Sequence, residues 1–320
     1  MTLPERKPDW LRVRLPAGED LTRFNGLKAK LRTLDLHTVC EEARCPNIFE
    51  CWGQGTATIM ILGETCTRGC RFCAVATGHP GGFVDPREPE NTAVALAQMD
   101  LAYVVITMVD RDDLLDGGAA HVAQTVERIK VHAPKLLVET LVGDFQGARR
   151  DVETIVRDGR PDVYAHNVEV VPRLQRTIRD ARCSWERSMQ TLEWAKAAGA
   201  KVTKSSLMVG IGETEDEVVD AMRRMREVDV DVLTIGQYLR PSQKHAALER
   251  YVTPEEFARY REVGLELGFR FVAAGPLVRS SYRAAEVYLH GLLGGDAGEE
   301  IAGVDRYGRK RRLRVLDSLE

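Results

Sequence analysis

Six runs of apolar, often β-branched residues punctuate the chain, at Ala57–Leu62, Tyr103–Thr107, Leu136–Thr140, Val163–Asn167, Val202–Met208 and Val232–Tyr238. Most are short and nearly continuous, the pattern of strands covered on both faces. Amphipathic stretches alternate with them at Asn91–Met99, Ala120–Val131, Arg149–Asp158, Trp185–Ala198, Thr214–Val228 and Pro254–Leu267, and predict helices. Thr214 with Glu217 three residues on is a capping-box start for one of these helices. Strand–helix alternation predicts an α/β fold with a parallel sheet, and six units predict a partial (β/α)6 TIM-type barrel rather than a complete eightfold one. The barrel is expected over residues 56–274, with extensions at 1–55 and 275–320.

The ends of the predicted strands are polar. Asp110, Arg111, Asp112 and Asp113 follow the second run, and Glu139 ends the third. His166, Asn167 and Glu169 close the fourth, Lys204, Ser205 and Ser206 lie in the fifth, and the sixth leads to Gln237 and Arg240. In parallel barrels working residues gather at the C-terminal strand ends. Each residue alone could be a turn former or a cap, but together they outline a polar cavity.

With 320 residues, 44% of them hydrophobic, the chain can bury one large core with modest extensions. Its formal charge of −3 argues against a dedicated nucleic-acid binder. The basic stretch Arg306–Arg314 reads as a solvated tail, or as a docking surface for an acidic partner protein. No apolar run approaches membrane-spanning length and no secretory segment opens the chain, so a cytoplasmic protein is expected.

That compartment is reducing, which decides how the seven cysteines are read. Cys66, Cys70 and Cys73, separated by three and two residues, put three thiolates on one tight loop. They suit three irons of a [4Fe–4S] cube whose fourth iron has no nearby protein thiolate. Structural zinc would instead call for a second paired Cys/His motif after a long spacer, and none follows. Cys40, Cys45 and Cys51 form a second triplet of different spacing, which implies a second cluster; disulfides within this short segment are the bland alternative. Cys183 stands alone before a helical pattern and reads as packing.

The open-iron arrangement resembles that of the radical S-adenosylmethionine (SAM) enzymes, and further motifs narrow the resemblance to the lipoyl synthases among them. These are the Cys40/Cys45/Cys51 triplet, the run Gly63–Cys73, Val109–Leu114 with Asp116–Ala119 behind it, His166–Glu169, Lys204–Met208, Gln237–Ser242 and Gly275–Tyr282. The resemblance covers roughly residues 35–290. It implies two [4Fe–4S] clusters, with Cys66, Cys70 and Cys73 holding the SAM-cleaving one. Cys40, Cys45 and Cys51 would hold an auxiliary one, completed from the C-terminal extension by Ser280, with Ser281 as the alternative. An alkoxide is a harder ligand than a thiolate, so that corner would be the easiest to lose. Asn167, Glu169, Lys204 and Gln237 are the implied SAM contacts.

The implied reaction places two sulfurs, at C6 and C8, on an octanoyl chain borne by a lysine of a lipoyl carrier domain or glycine-cleavage H protein. The auxiliary cluster would give up the sulfur. An electron donor such as flavodoxin or ferredoxin, and an iron–sulfur carrier to rebuild the cluster, are the further partners implied. The chain departs from the family pattern at Met108 and Val170, where a serine and a threonine are usual. The other readings weighed are a tRNA methylthiotransferase, which would want a basic appendage, and a non-catalytic iron–sulfur electron carrier.

Overall fold

The computed structural model describes residues 6–12, 18–33, 38, 47–53, 56–99, 101–281, 301–304 and 310–313. Seven parallel strands form one sheet in sequential order: β1 Thr56–Ile61, β2 Tyr103–Met108, β3 Leu137–Leu141, β4 Val163–Ala165, β5 Thr203–Val209, β6 Val232–Gln237 and β7 Phe271–Gly275. The first six are the expected ones. Six strand–helix units followed by a seventh strand make the partial barrel, so the sheet is one strand longer than the six runs implied. Phe271–Gly275 is short and ends in small residues beside a Gly-Pro turn, and its pattern is weak for that reason.

The helices follow from their sequences. Preceding the barrel are α1 Glu19–Thr33 and α2 Ile48–Gly53. Within it come α3 Glu88–Ala97, α4 Ala119–His132, α5 Arg149–Thr154, α6 Gln175–Ile178, α7 Trp185–Ala197, α8 Glu215–Glu227 and α9 Pro254–Glu266. Thr214 and Glu217 form the expected capping box, and Thr253 with Glu256 forms another at α9. The expected helix at Arg149–Asp158 is shorter, because α5 relaxes into a π turn at Ile155–Gly159. Among the described residues no helix is long and apolar enough to cross a membrane.

The N-terminal end of the barrel is closed by paired charges. Asp162, just before β4, accepts the Val138 N–H of β3 at 2.8 Å and pairs with Lys130 of α4. Asp231, just before β6, does the same for Thr203 of β5 at 2.8 Å and pairs with Lys196 of α7 at 2.5 Å. Each aspartate satisfies a strand-start amide and neutralises a lysine from the helix end above it. Deeper in, the Tyr103 hydroxyl donates to Glu139 at 2.5 Å, and the Lys204 ammonium spans both Glu139 oxygens at 2.9 and 2.7 Å.

The extensions pack on this frame. Phe24 of α1 lies 4.8 Å from Phe49 and 5.3 Å from Trp52 of α2, ring centre to ring centre. Thr38 bridges antiparallel to Ile59 of β1, and the Asn47 side-chain amide donates to Leu277 O just past β7. Of the basic stretch at 306–314, only Lys310–Leu313 is described, paired antiparallel with Ile301–Val304.

Past β7 the chain turns back over β6. A Cβ on Gly236 would stand 2.1 Å from Val278 O, so only glycine lets the Val278–Ser280 stretch lie there. Gly236→Ala is therefore expected to lower the melting temperature and to expose the chain after Arg279 to trypsin. An unchanged digestion pattern would show that this crossing is not fixed by Gly236.

Candidate functional site

The cysteine loop leaves the C-terminal end of β1 and folds on itself through a two-residue parallel pairing of Thr65–Cys66 with Ala76–Thr77. Loops from three other strand ends grip it. From β2, Asp110 O accepts both Thr67 N–H and Thr67 Oγ1–H at 2.9 Å, and Asp112 N–H donates back to Thr67 Oγ1 at 3.0 Å. From the β4 side, Arg71 N–H donates to Ile178 O at 2.8 Å and Gly69 N–H to the Asp180 carboxylate at 2.8 Å. From β6, Ala246 N–H donates to Arg71 O at 2.8 Å, and the His245 ring lies 3.0 Å from Cys73 O.

Behind the loop sits Arg68, 3% exposed. Its guanidinium forks onto Asp112 at 2.9 and 2.8 Å, reaches Asp144 at 2.7 Å and lies 3.7 Å from Asp110. Burial alone would raise the Asp144 carboxyl, but the bond and charge of Arg68 outweigh it and hold it low. Asp110 is pushed up to about 6 by its burial, which Arg68 only partly offsets. A Cβ on Gly143 would stand 2.2 Å from Asp110 Oδ1, so the β3 loop must be bare there.

Each thiol of the triplet receives a backbone N–H. Arg68 donates to Cys66 at 3.4 Å, Asp180 to Cys70 at 3.3 Å, and Val75 to Cys73. Such donors favour the thiolate that a metal needs. Burial acts the other way, raising Cys66 to about 11 and Cys73 upward, so ligation has to displace their protons. Three thiols on one loop, each met by an amide, are the donor set that three irons of a cube would take.

The expected SAM contacts divide. Asn167 donates to Glu169 Oε1 at 3.1 Å, and the Glu169 charge acts on the Cys73 thiol, so these two face the loop. Glu169 holds a left-handed backbone (φ 66°), pinned by Glu169 N–H to Ser206 O and Met208 N–H to Glu169 O at 3.1 and 2.8 Å. Strain of this kind persists where the surroundings over-determine it. Lys204 lies second in β5, at the far end of the barrel, committed to Glu139. The Gln237 amide donates to Val209 O, Tyr238 O and Arg250 O at 3.1 Å and accepts from Val252 N–H at 2.7 Å, bracing the loop after β6. Both side chains are thus engaged within the fold, Lys204 by Glu139 and Gln237 by the loop after β6. Val170 is wholly buried, and its carbonyl accepts from the Gln175 amide at 2.6 Å.

Of the second ligand set, Cys51 is buried in α2 and Ser280 is half-buried beyond β7. The Asn47–Leu277 bond joins their neighbourhoods across 230 residues of sequence. Cys40 and Cys45 lie outside the described residues.

Residues 60–225 match the family model of the Radical SAM superfamily, and residues 2–45 that of the N-terminal domain of lipoyl synthase. The lipoyl synthase of Sorangium cellulosum is 58% identical over 302 residues, 90% of this chain and 80% of that protein. The chain belongs to the lipoyl synthase family. Mitochondrial lipoyl synthase of Rattus norvegicus is 53% identical over 294 residues, 90% of this chain and 78% of its own length. Chloroplastic lipoyl synthase 2 of Populus trichocarpa is 52% identical over 306 residues, 94% and 76% of the two chains. The crystal structure of HydG, a maturase of the [FeFe]-hydrogenase, superposes with a TM-score of 0.51 at 11% identity over 84% of this chain and 70% of that one, a likeness of fold. As a lipoyl synthase the chain is an enzyme, and its superfamily implies a [4Fe–4S] cluster and SAM.

Two groups beside the loop escaped the sequence reading. The stretch Ile178–Cys183 clasps the loop through contacts more than a hundred residues apart, and nothing local announces it. Cys183 is not mere packing: its thiol meets that of Cys70, and Arg68 Nη1 approaches its sulfur at 3.5 Å. The Cys70 thiol is raised first by that hydrogen bond and then by burial.

His166, expected among the site groups, is a buried strut. Val142 O can only accept, so Nδ1 carries the proton at 2.9 Å, and Nε2 takes the Ser188 hydroxyl at 2.9 Å. Burial, with the Arg179 charge, lowers it from 6.5 to about 4. A depressed pKa gives stability that is complete above the unfolded value and lost as protonation begins to favour the unfolded chain. Denaturant midpoints should therefore fall as pH drops from 6.5 towards 4, and His166→Gln should flatten that slope while lowering the plateau. An equal slope in the variant would assign the pH dependence elsewhere.

Proposed function

We propose that the protein catalyses the insertion of sulfur at C6 and C8 of an octanoyl group carried on a lysine, giving the dihydrolipoyl product of lipoate biosynthesis. The observation that carries this reading is the presence in one chain of both ligand sets, Cys66/Cys70/Cys73 and Cys40/Cys45/Cys51 with Ser280. The kinship with lipoyl synthases over 90% of the chain supports it. So does the fact that the described members of the second set, Cys51 and Ser280, lie on segments tied together by Asn47 and Leu277.

Cys66, Cys70 and Cys73 would hold one [4Fe–4S] cluster, and Cys40, Cys45, Cys51 and Ser280 (Ser281 being the alternative) a second. When bound, the first supplies reductive cleavage of SAM, giving a radical strong enough for unactivated C–H bonds, and the second supplies sulfur. The chain's own work is placement. Arg68, Asp112 and Asp144 fix the loop, and the N–H groups of Arg68, Asp180 and Val75 stabilise the thiolates. The Asn167–Glu169 pair, beside Cys73, presents an acceptor suited to the ammonium of SAM. Serine as the fourth ligand of the second set leaves one weakly matched corner where the cluster can come apart.

The substrates follow from the same reading: an octanoylated lipoyl carrier domain or glycine-cleavage H protein, a reductant such as flavodoxin or ferredoxin, and an iron–sulfur carrier that restores the spent cluster. We assign the protein to the cytoplasm, the reading its thiols support. We likewise assign residues 1–55 and 275–320 as the extensions that supply the second ligand set to the barrel of residues 56–274.

The two sets should separate by mutation. Cys70→Ala is expected to reduce 5′-deoxyadenosine formation from SAM to background, measured after anaerobic loading with iron and sulfide and reduction by dithionite. Cys40→Ala should keep most of that cleavage and lose all sulfur transfer to an octanoylated carrier peptide. Equal loss of both activities in Cys40→Ala would overturn the division of labour, and deoxyadenosine from Cys70→Ala would overturn the cluster assignment.

A further inference from the structure

We propose that Arg71, Arg176, Arg240 and Lys244 form the docking surface for an acidic one-electron carrier protein that serves the cysteine loop. All four are exposed, and among the described residues no carboxylate pairs with any of them. Hydrogen bonds bring their segments together. The Arg71 guanidinium donates to Thr177 O at 3.1 Å, one residue past Arg176, and Arg71 N–H donates to Ile178 O at 2.8 Å. On its other side Arg71 O accepts Ala246 N–H at 2.8 Å. Lys244 lies two residues before Ala246, and Arg240 holds the same turn, its Nε donating to His245 O at 3.1 Å. The acids of these loops do not cancel the charge. Glu169 faces Cys73, Asp180 is taken by Arg182 at 2.8 Å, and Glu249 lies against Gly212. The neighbouring cations Arg173, Arg179 and Arg182 are committed to Glu217, Ser188 and Asp180.

A chain of formal charge −3 repels an acidic protein at a distance, so attraction has to be local. Exposed charges more than about 8 Å apart are largely screened at physiological salt, which leaves these four cations to decide the encounter at contact. Such charges raise the rate of association more than the affinity. That suits a donor that gives up one electron for each SAM cleaved to methionine and the 5′-deoxyadenosyl radical, and must then leave; redox encounters of this kind use small interfaces. The place fits as well. Arg71 stands between Cys70 and Cys73, so a protein resting on it lies against the thiol-bearing loop. The octanoylated carrier has a different destination, because its acyl chain must reach the second ligand set. The described members of that set, Cys51 and Ser280, sit in the segments before β1 and after β7. The inference rests on the reading of Cys66, Cys70 and Cys73 as cluster ligands.

Among the described residues the Arg176 and Lys244 side chains make no hydrogen bond or ion pair, so Arg176→Glu with Lys244→Glu probes the surface at little risk to the fold. Arg176→Gln with Lys244→Gln is the milder second variant. Binding of flavodoxin to the anaerobically loaded full chain is measured by calorimetry, and 5′-deoxyadenosine formation is driven in parallel by reduced flavodoxin and by dithionite. Binding by the unmutated chain should weaken as salt rises. The Glu pair should bind at least about tenfold more weakly and lose flavodoxin-driven cleavage by a similar factor, with a smaller loss in the Gln pair. Dithionite-driven cleavage, and dithionite-driven sulfur transfer to an octanoylated carrier domain, should stay unchanged in both. Flavodoxin binding and flavodoxin-driven cleavage that survive in the Glu pair would overturn the proposal. So would a loss confined to sulfur transfer to the whole carrier domain, which would give the surface to the carrier. No 5′-deoxyadenosine from the unmutated chain with dithionite would overturn the cluster reading itself, and the proposal with it.

Discussion

Arg68 is a full positive charge almost without access to water, and the rest of the site depends on how it is neutralised. It stands between the first and second cysteines of the loop, two residues after Cys66 and two before Cys70, so its anchoring fixes the chain that carries both. Asp112 forks onto it from the β2 end and Asp144 meets it from the β3 end. A buried charge is tolerated only when paired this completely, and removing one partner of such a pair typically costs about 3–5 kcal/mol. That penalty makes the loop conformation part of the fold and not an option of a flexible surface segment. It is the opposite of how loops with exposed cysteines usually behave, and it gives three thiols fixed positions before any metal arrives.

The barrel divides its charges between its two ends. At the N-terminal end Asp162 with Lys130, Asp231 with Lys196, and Tyr103–Glu139–Lys204 close the bottom, and every one is spent on strand starts and helix ends. At the C-terminal end the carboxylates face Arg68 and the cysteine loop, and two of them, Asp110 and Glu169, are lifted by burial. Buried carboxylates with a raised pKa are costly in a structure that only has to be stable. Their concentration around the thiols is the electrostatic mark of a site, whereas the bottom shows complete compensation.

This division also explains what could be read from sequence. The strands were legible because a parallel sheet covered on both faces writes itself as runs such as Tyr103–Thr107, and the cluster loop because three cysteines within eight residues form a local signal. The pairing of Asn167 with Glu169 is local in the same way, the two being close in sequence and on one loop. Lys204 and Gln237 were less legible, because a polar residue in a greasy strand reads alike as a site group or as a brace until its contacts are known. Lys204 proves to be the partner of Glu139, and Gln237 the buckle of the loop after β6. The clasp at Ile178–Cys183 was invisible, since its partners at 69–71 lie on another unit of the barrel and the bonds use backbone groups that every residue possesses.

An open parallel sheet leaves two edges, and an exposed edge is a liability that a fold has to cover. Among the described residues no ladder joins β1 to β7, yet neither edge is bare of N-terminal contacts. Thr38 pairs with Ile59 on β1, and Asn47 bonds to Leu277 immediately beyond β7. Each edge is thus met by a residue from before the barrel, one by a backbone bridge and the other by a side-chain amide. Asn47 immediately precedes a helix whose Trp52 is stacked against Phe24 of α1, so the anchor at the β7 end is itself held by the packing of the two N-terminal helices.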